Sequence, residues 1–203
     1  LNRCLINLDS KKSRHEKTIT IRSMNNNQTE ADQNMLPEIF INFNKDSANQ
    51  LILGLCDSGA QTSIIGHEQL SQLGFNDNQI QPTDSYNIQS STELVENAII
   101  GKVRLKMFCL IKARNDSSTG QFGMANLEFL VAHKKIKLSK LILGINFMHQ
   151  NDLKLHFNRR NCDVRATLLT ETGRKQVYLQ LNENNHRLHL SNKQEINKTD
   201  ITS

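Results

Sequence analysis

Few aromatic residues, only two prolines and no tryptophan occur among the 203 residues of this chain. No apolar run approaches the ~20 residues that a membrane-spanning helix requires, so we expect no membrane association. The N-terminal stretch LNRCLINLDSKKS lacks the basic-then-apolar order of a signal peptide. The cysteines form no CxxC pair and no histidine stands at zinc-ligand spacing, which predicts neither a metal nor a cofactor. We therefore expect reduced thiols and an intracellular, cytoplasmic protein, although the even number of cysteines leaves disulfides open as an alternative.

The positive charge of the chain permits an anionic partner without requiring one. The formal net charge is +5 and the isoelectric point is about 9.1. A nucleic-acid-binding protein normally combines basic clusters with aromatic residues or a recognisable motif. The tightest basic cluster here is KKSR at 11–14, within a polar end segment. Nucleic acid is therefore not a required partner in this interpretation.

Composition divides the chain into three parts. Hydrophobic residues make up 37% of the sequence, below the ~45–50% that is usual for globular domains. Asn, Gln, Ser and Lys are concentrated at both ends, where apolar periodicity is poor. We predict a flexible polar N-terminal segment at 1–35, a folded domain at 36–182 and a flexible polar tail at 183–203.

The pattern of the central part favours β-strands. In KVRLKMFCLI at 102–111, alternate residues from Val103 to Ile111 are apolar, which is the period of a half-buried strand. The turn-forming cluster NDSSTG and the alternating MANLEFLVAH follow, which predicts a hairpin. The helical candidates are short, at 67–74 and 145–150, and a βαβ architecture would need more helices. The predicted fold is mainly β with one or two short helices.

Residues 51–65, LILGLCDSGAQTSII, place the carboxylate of Asp57 between two apolar runs. A buried strand would deliver Asp57 to the domain interior, and Gly59 permits a positive φ and a close backbone approach. The N–H groups of Gly59 and Ala60 can then point at the carboxylate and keep it ionised. Asp, Ser and Gly are also turn formers, and Asp57-Ser58-Gly59 alone favours an ordinary type I turn.

The wider segment LCDSGAQTSII closely resembles the active-site segment of retropepsin-like aspartic proteases. This family includes retroviral and LTR-retrotransposon proteases and cellular DNA-damage-inducible relatives. Its second signature, two apolar residues and a glycine before a short helix, is similar to LILG at 141–144 followed by INFMHQ. The same LILG also occurs at 51–54. The resemblance covers about residues 36–160 and implies a retropepsin-like acid-protease half-barrel.

The resemblance also implies a catalytic residue, Asp57, and an assembly. Peptide hydrolysis by such a protease requires two carboxylates that share one water, one acting as base and the other, protonated, polarising the scissile carbonyl. Two carboxylates about 3 Å apart cannot both ionise, so the pair holds one proton. This chain has one such loop, because Asp46, Asp84 and Asp116 lack a glycine at the required position. The expectation is a symmetric homodimer with one Asp57 from each subunit.

The family pattern assigns further roles around Asp57. Ser58 would supply the hydroxyl-to-backbone lock between subunits, while Gly59 and Ala60 would line the cleft. A substrate-covering flap would lie in NIQSSTELVENAIIGKVRL at 87–105 and bind an extended polypeptide through strand-like hydrogen bonds. The residues expected at its tip are Gln89, Ser90, Ser91 and Thr92.

The predicted function is therefore that of an aspartic endopeptidase, a hydrolase that acts as a homodimer on a polypeptide substrate, in particular a retroelement-type polyprotein. One alternative is a catalytically silent retropepsin-like dimerisation or interaction module. Another is a nucleic-acid-associated retroelement fragment that uses basic tails, although no CCHC knuckle is present. The sequence also contains no HExxH zinc motif, nucleophile elbow or phosphate-binding loop.

Overall fold

The computed structural model describes residues 17–20, 36–44, 51–89, 94–113, 121–157 and 162–182. Within these ranges the strands are Lys17–Thr20 (β1), Glu38–Asn42 (β2), Ile52–Cys56 (β3), Ile64–Gly66 (β4), Tyr86–Gln89 (β5), Leu94–Val95 (β6), Ile99–Ile111 (β7), Gln121–Ala132 (β8), Leu141–Leu143 (β9), Lys154–Phe157 (β10), Cys162–Thr170 (β11) and Gly173–Tyr178 (β12). The α-helices are His67–Gln72 (α1) and Ile145–Gln150 (α2), and Asp77–Gln79 forms a 3-10 helix.

The mainly β fold with two short helices is confirmed. Each helix has six residues, and both lie where short helical patterns predict them. Helix α1 stops before Gly74, whose φ of 84° lies in the left-handed region that glycine adopts without a steric penalty. The Gly74 N–H donates to the Ser71 carbonyl at 3.0 Å, which satisfies one of the last helical acceptors.

Six strands close into a barrel in the order β8-β4-β9-β3-β2-β7, because β7 also pairs with β8. The long β7–β8 hairpin confirms the alternation seen in the sequence: Val103 pairs with Phe129 and Leu105 with Leu127, and all four side chains are buried. The turn predicted at 115–120 lies outside the described residues. Strands β10, β11 and β12 extend the sheet beyond β8.

The two apolar strands that carry LILG lie side by side. Strands β3 and β9 pair in parallel, with Gly54 opposite Leu141 and Cys56 opposite Leu143. A Cβ on Gly54 would lie 2.4 Å from the Ile41 Cδ1 atom on β2, so this glycine allows the side chains of neighbouring strands to interdigitate. The parallel pairing brings the ends of β3 and β9 together, and the residues that follow each strand therefore meet.

Part of the segment expected to be flexible, 1–35, is a strand. Residues Lys17–Thr20 form β1, which pairs in parallel with β5 in a three-stranded sheet of order β1-β5-β6. The polar composition of this segment gave no sign of this four-residue strand. An edge strand is stabilised by backbone hydrogen bonds to its neighbour, so it requires little apolar surface of its own. The tail predicted at 183–203 lies outside the described residues.

The described residues contain no helix that combines the length and apolar character needed to cross a membrane.

Candidate active site

Asp57 follows directly on β3, and backbone hydrogen bonds fix the chain at Asp57 and at the residue before it. The Asp57 N–H donates to the Leu143 carbonyl of β9 at 3.0 Å, and the Cys56 N–H donates to the Pro37 carbonyl at 2.9 Å. Asp57 is fully buried. The interior strand therefore delivers the carboxylate to the inside of the domain, as its apolar sequence predicts.

The loop after Asp57 is a tight turn that also binds the carboxylate. The Gly59 N–H donates to Asp57 Oδ1 at 2.8 Å. The Ala60 N–H donates to the main-chain oxygen of Asp57 at 3.1 Å. This i to i+3 bond closes an ordinary β-turn, and Gly59 is not among the described glycines with positive φ. The same loop is therefore both a β-turn and the segment that holds the buried carboxylate.

The loop residues differ in their exposure. Ser58 is exposed, Gly59 is half-buried and Ala60 is buried. The Ala60 side chain belongs to a buried apolar cluster that also contains Ile88 of β5. The strand that leads into the predicted flap therefore packs against the same cluster as the Asp57 loop.

Gly144, the last residue of the second LILG, lies in contact with the backbone of the Asp57 loop. A Cβ at this position would lie 2.5 Å from both the carbonyl carbon and oxygen of Thr62, and 2.7 Å from the Ala60 oxygen. The Ile145 N–H donates to the same Ala60 oxygen at 2.9 Å. Since Gly144 has a φ of −85°, the glycine is required for the close approach of two backbones and not for a left-handed conformation.

A polar cluster beneath the loop, formed by Ser63 and Asn146, was missed by sequence reasoning. Asn146 Oδ1 accepts from the Ser63 N–H at 2.8 Å, the Ser63 hydroxyl at 2.7 Å and the Phe147 N–H at 2.9 Å. Asn146 Nδ2 donates to the Glu128 carbonyl at 3.0 Å, and Ser63 Oγ accepts from the Gly144 N–H at 3.0 Å. This cluster joins the Asp57 loop to α2, β8 and the second LILG. Two polar residues at the edges of apolar runs were the only signal in the sequence.

The predicted flap lies on a β-hairpin whose two strands are described. Ile88 pairs with Val95 and Gln89 with Leu94 in antiparallel register, which places the half-buried Gln89 at the end of β5. Ser90, Ser91 and Thr92 lie outside the described residues. The base of the hairpin is closed by the Ala98 N–H, which donates to the Tyr86 carbonyl at 2.9 Å.

A cleft with a cavity volume of about 590 Å³ opens between the end of the Asp57 loop, β1 and the β7–β8 hairpin. Its lining residues are Lys17, Thr18, Gln61, Thr62, Thr83, Asp84, Tyr86, Lys102, Glu128 and Leu130. The first residue after Asp57 that lines the cleft is Gln61, four positions further along the chain.

No family model matches the sequence, and no curated protein matches it. Among solved structures, the chain is similar to a retropepsin-like aspartic protease from Rickettsia conorii at 13% sequence identity and a TM-score of 0.30. The similarity covers 71% of this chain and 94% of that chain. A likeness at this level identifies neither the family nor the function of the chain.

The cysteines beside the site are not activated for nucleophilic chemistry. Burial raises the pKa of the Cys56 thiol, which directly precedes Asp57, well above its usual range. Burial likewise raises the pKa of Cys109 to about 12. Since the thiolate is the reactive form of cysteine, both residues remain protonated at neutral pH and act as small core side chains. Among the described residues, no group of His, Cys, Asp and Glu side chains is arranged to hold a metal ion.

Proposed function

We propose that this chain is an aspartic endopeptidase that acts as a homodimer, with Asp57 of each subunit as the catalytic residue. One observation carries the proposal: the Asp57 loop is hydrogen-bonded at two points to the second LILG and the residue that follows it. The Asp57 N–H donates to the Leu143 oxygen at 3.0 Å, and the Ile145 N–H donates to the Ala60 oxygen at 2.9 Å. Two segments that resemble the paired signatures of one protease family are thus in direct contact.

The proposed reaction uses two Asp57 carboxylates that share one proton. The ionised carboxylate accepts a proton from water, which attacks the scissile carbonyl carbon, while the protonated carboxyl group donates a hydrogen bond to the carbonyl oxygen. The Gly59 N–H donates to Asp57 Oδ1 at 2.8 Å and so fixes the position of that carboxylate oxygen. Ser58 is exposed in the single chain and would be available for the proposed contact between subunits.

The proposed substrate is an extended polypeptide, in particular a retroelement-type polyprotein, cleaved inside the cell in the cytoplasm. A strand-like substrate would form backbone hydrogen bonds beneath the β5–β6 hairpin, where Gln89, Ser90, Ser91 and Thr92 are the proposed flap residues. The packing of Ile88 and Ala60 in one apolar cluster supports this placement, since it connects the hairpin with the Asp57 loop.

The full burial of Asp57 in the single chain favours a second candidate, a catalytically silent dimerisation or interaction module. Hydrolysis requires water and a carbonyl group to reach the carboxylate, so Asp57 must become accessible when the proposed enzyme dimerises or binds substrate. In the silent module the carboxylate would remain buried and serve only to hold the turn through Gly59.

The test is a paired cleavage assay of the wild-type protein and Asp57→Asn on a peptide library between pH 4 and 7. The loss of the shared acid and base is expected to lower kcat/KM by about 10²–10⁴-fold. Asp152→Asn is the control, because Asp152 is exposed and has a φ of 43°, which asparagine tolerates.

Sedimentation measured on the same samples tests the shared site. Activity is expected to increase with the fraction of dimer, and Asp57→Asn is expected to keep the dimer. Undiminished cleavage by Asp57→Asn would refute the catalytic assignment, and cleavage by a protein that stays monomeric would refute the two-chain site. If the wild-type protein forms a dimer but cleaves no peptide, the silent module is the correct function.

A further inference from the structure

Strand β1 is attached to the strand that leads into the predicted flap. Lys17 pairs with Tyr86 and Thr18 with Asn87 in parallel register. Lys17 Nζ lies 2.6 Å from Asp84 Oδ2 and 5.6 Å from the centroid of the Tyr86 ring. An ion pair and a cation–π contact therefore hold the first residue of β1 in place.

Lys17 and Thr18 of β1 line the 590 Å³ cleft together with residues at the end of the Asp57 loop and on the β7–β8 hairpin. Gln61 and Thr62 contribute an amide and a hydroxyl group. Lys102 Nζ and Glu128 Oε2, on adjacent strands, lie 3.2 Å apart and form a second ion pair. A peptide that runs from Asp57 along this loop reaches the cleft within a few residues, since an extended chain advances about 3.3 Å per residue.

The chemical groups that line the cleft favour one class of substrate side chain. Each cation in the cleft, Lys17 and Lys102, is paired with a carboxylate, so the charges balance and neither sign of ligand charge is favoured. Hydroxyl and amide groups provide donors and acceptors together. An aliphatic side chain would displace water from these groups without replacing its hydrogen bonds. A side-chain amide can replace both the donated and the accepted bonds.

We propose that this cleft is a substrate subsite, completed by β1, which takes the side chain of a glutamine or asparagine in an extended polypeptide. This proposal rests on the proposed protease function and specifies its substrate. Lys17 and Thr18 are the specificity-determining residues that β1 contributes.

The test compares peptides that differ at a single position. Gln, Leu, Lys or Glu is placed in turn at each of four positions on either side of the scissile bond. At one of these positions the wild-type protein is expected to prefer Gln to Leu by about 10-fold in kcat/KM, less than the ratios of fully enclosed polar sites because the cleft is open to solvent. Equal cleavage of all four peptides at every position, or a preference for Lys or Glu, would overturn the proposal.

Lys17→Met removes the ammonium group and keeps the apolar stem, so it is expected to reduce the preference for Gln over Leu to about 2-fold or less. The matched control is Lys154→Met. Lys154 pairs with Asp152 at 3.2 Å, and the two side chains are 52% and 59% exposed. The side chains of Lys17 and Asp84 have similar exposures, 54% and 65%. Lys17→Arg keeps the cation and is expected to keep the preference. If Lys17→Met behaves like Lys154→Met, β1 does not form the subsite.

Binding separates this proposal from the proposed chemistry. In Asp57→Asn protein, the Kd of the same peptides can be measured by fluorescence anisotropy, and the Gln peptide is expected to bind about 10-fold more tightly than the Leu peptide. Selective binding without cleavage by the wild-type protein would support the subsite and refute the protease. Cleavage by the wild-type protein with equal binding of the Gln and Leu peptides would refute the subsite alone.

Discussion

Replacement of Asn146 by alanine tests whether the polar cluster beneath the Asp57 loop holds the two signatures together. The Asn146 side chain makes four hydrogen bonds, two of them with the N–H and hydroxyl groups of the fully buried Ser63. A buried polar group without a partner costs about 1–3 kcal/mol. The other two partners lose less, because the Phe147 N–H also donates to the Gly144 carbonyl at 3.1 Å and Glu128 is half-buried. We therefore expect Asn146→Ala to lower the free energy of unfolding by about 2–4 kcal/mol.

Urea denaturation measures this loss. With a slope of about 2 kcal/mol per M, the midpoint is expected to fall by about 1–2 M. Gln150→Ala is the control on the same helix: its amide donates to the Asn126 carbonyl at 2.6 Å but is exposed, so its loss is expected to remain within about 0.5 kcal/mol. An equal effect of the two replacements would refute the role given to Asn146.

A double-mutant cycle with Ser63→Ala isolates the contact itself. Residues that share one buried network show interaction energies of about 0.5–3 kcal/mol, and a value in this range is expected for Asn146 and Ser63. Strictly additive effects would show that the two side chains contribute independently. The cluster would then not connect the Asp57 loop to α2.

Two further predictions concern the loop and β1. Gly144→Ala is expected to destabilise the fold by about 1–3 kcal/mol in thermal or urea unfolding, because the added Cβ would meet backbone atoms at 2.5 Å; an unchanged midpoint would contradict the close approach. The Lys17 ammonium lowers the pKa of the Asp84 carboxyl group in the folded protein. The pair therefore stabilises the fold at pH values above the unfolded-state pKa of Asp84, about 3.9. This stabilisation is lost as the pH falls through the lower pKa of Asp84 in the folded state. An NMR titration in which Lys17→Met leaves the Asp84 pKa unchanged would refute the pairing.

The long strands and the short helices were predictable because the spacing of apolar residues reflects which side chains are buried. The alternation through Val103 and Leu105 reflects one face of β7 against the core, and Gly74 marks the end of α1 through its positive φ. Strand β1 was not predictable in this way. It has four residues, KTIT, and exists through pairing with a strand that is distant in the sequence, so its own composition carries almost no signal.

The part of the candidate site that is built from the two sequence motifs was predictable. The part that is built from single polar residues was not. Asp57 and Gly144 belong to segments with enough pattern to be recognised, and the structure places their backbones in contact. Ser63 and Asn146 are ordinary polar residues in the sequence, and their importance comes from the fold, which leaves each as a hydrogen-bond partner of the other. Gly59 permits a positive φ but is not among the described glycines that adopt one, because a glycine beside a carboxylate does not by itself specify φ.

The distance along the chain between β1 and its partner has a consequence for the order of folding. Lys17 and Asp84 are 67 residues apart in the sequence, so their pairing requires a long loop to close before any contact compensates the lost chain entropy. The barrel, with its long β7–β8 hairpin, is expected to form first, and the four-residue β1 to dock last and detach most readily. Amide hydrogen exchange should then be faster in β1 than in β7. A chain in the last stage of folding would therefore possess its barrel before it acquires one wall of its cleft.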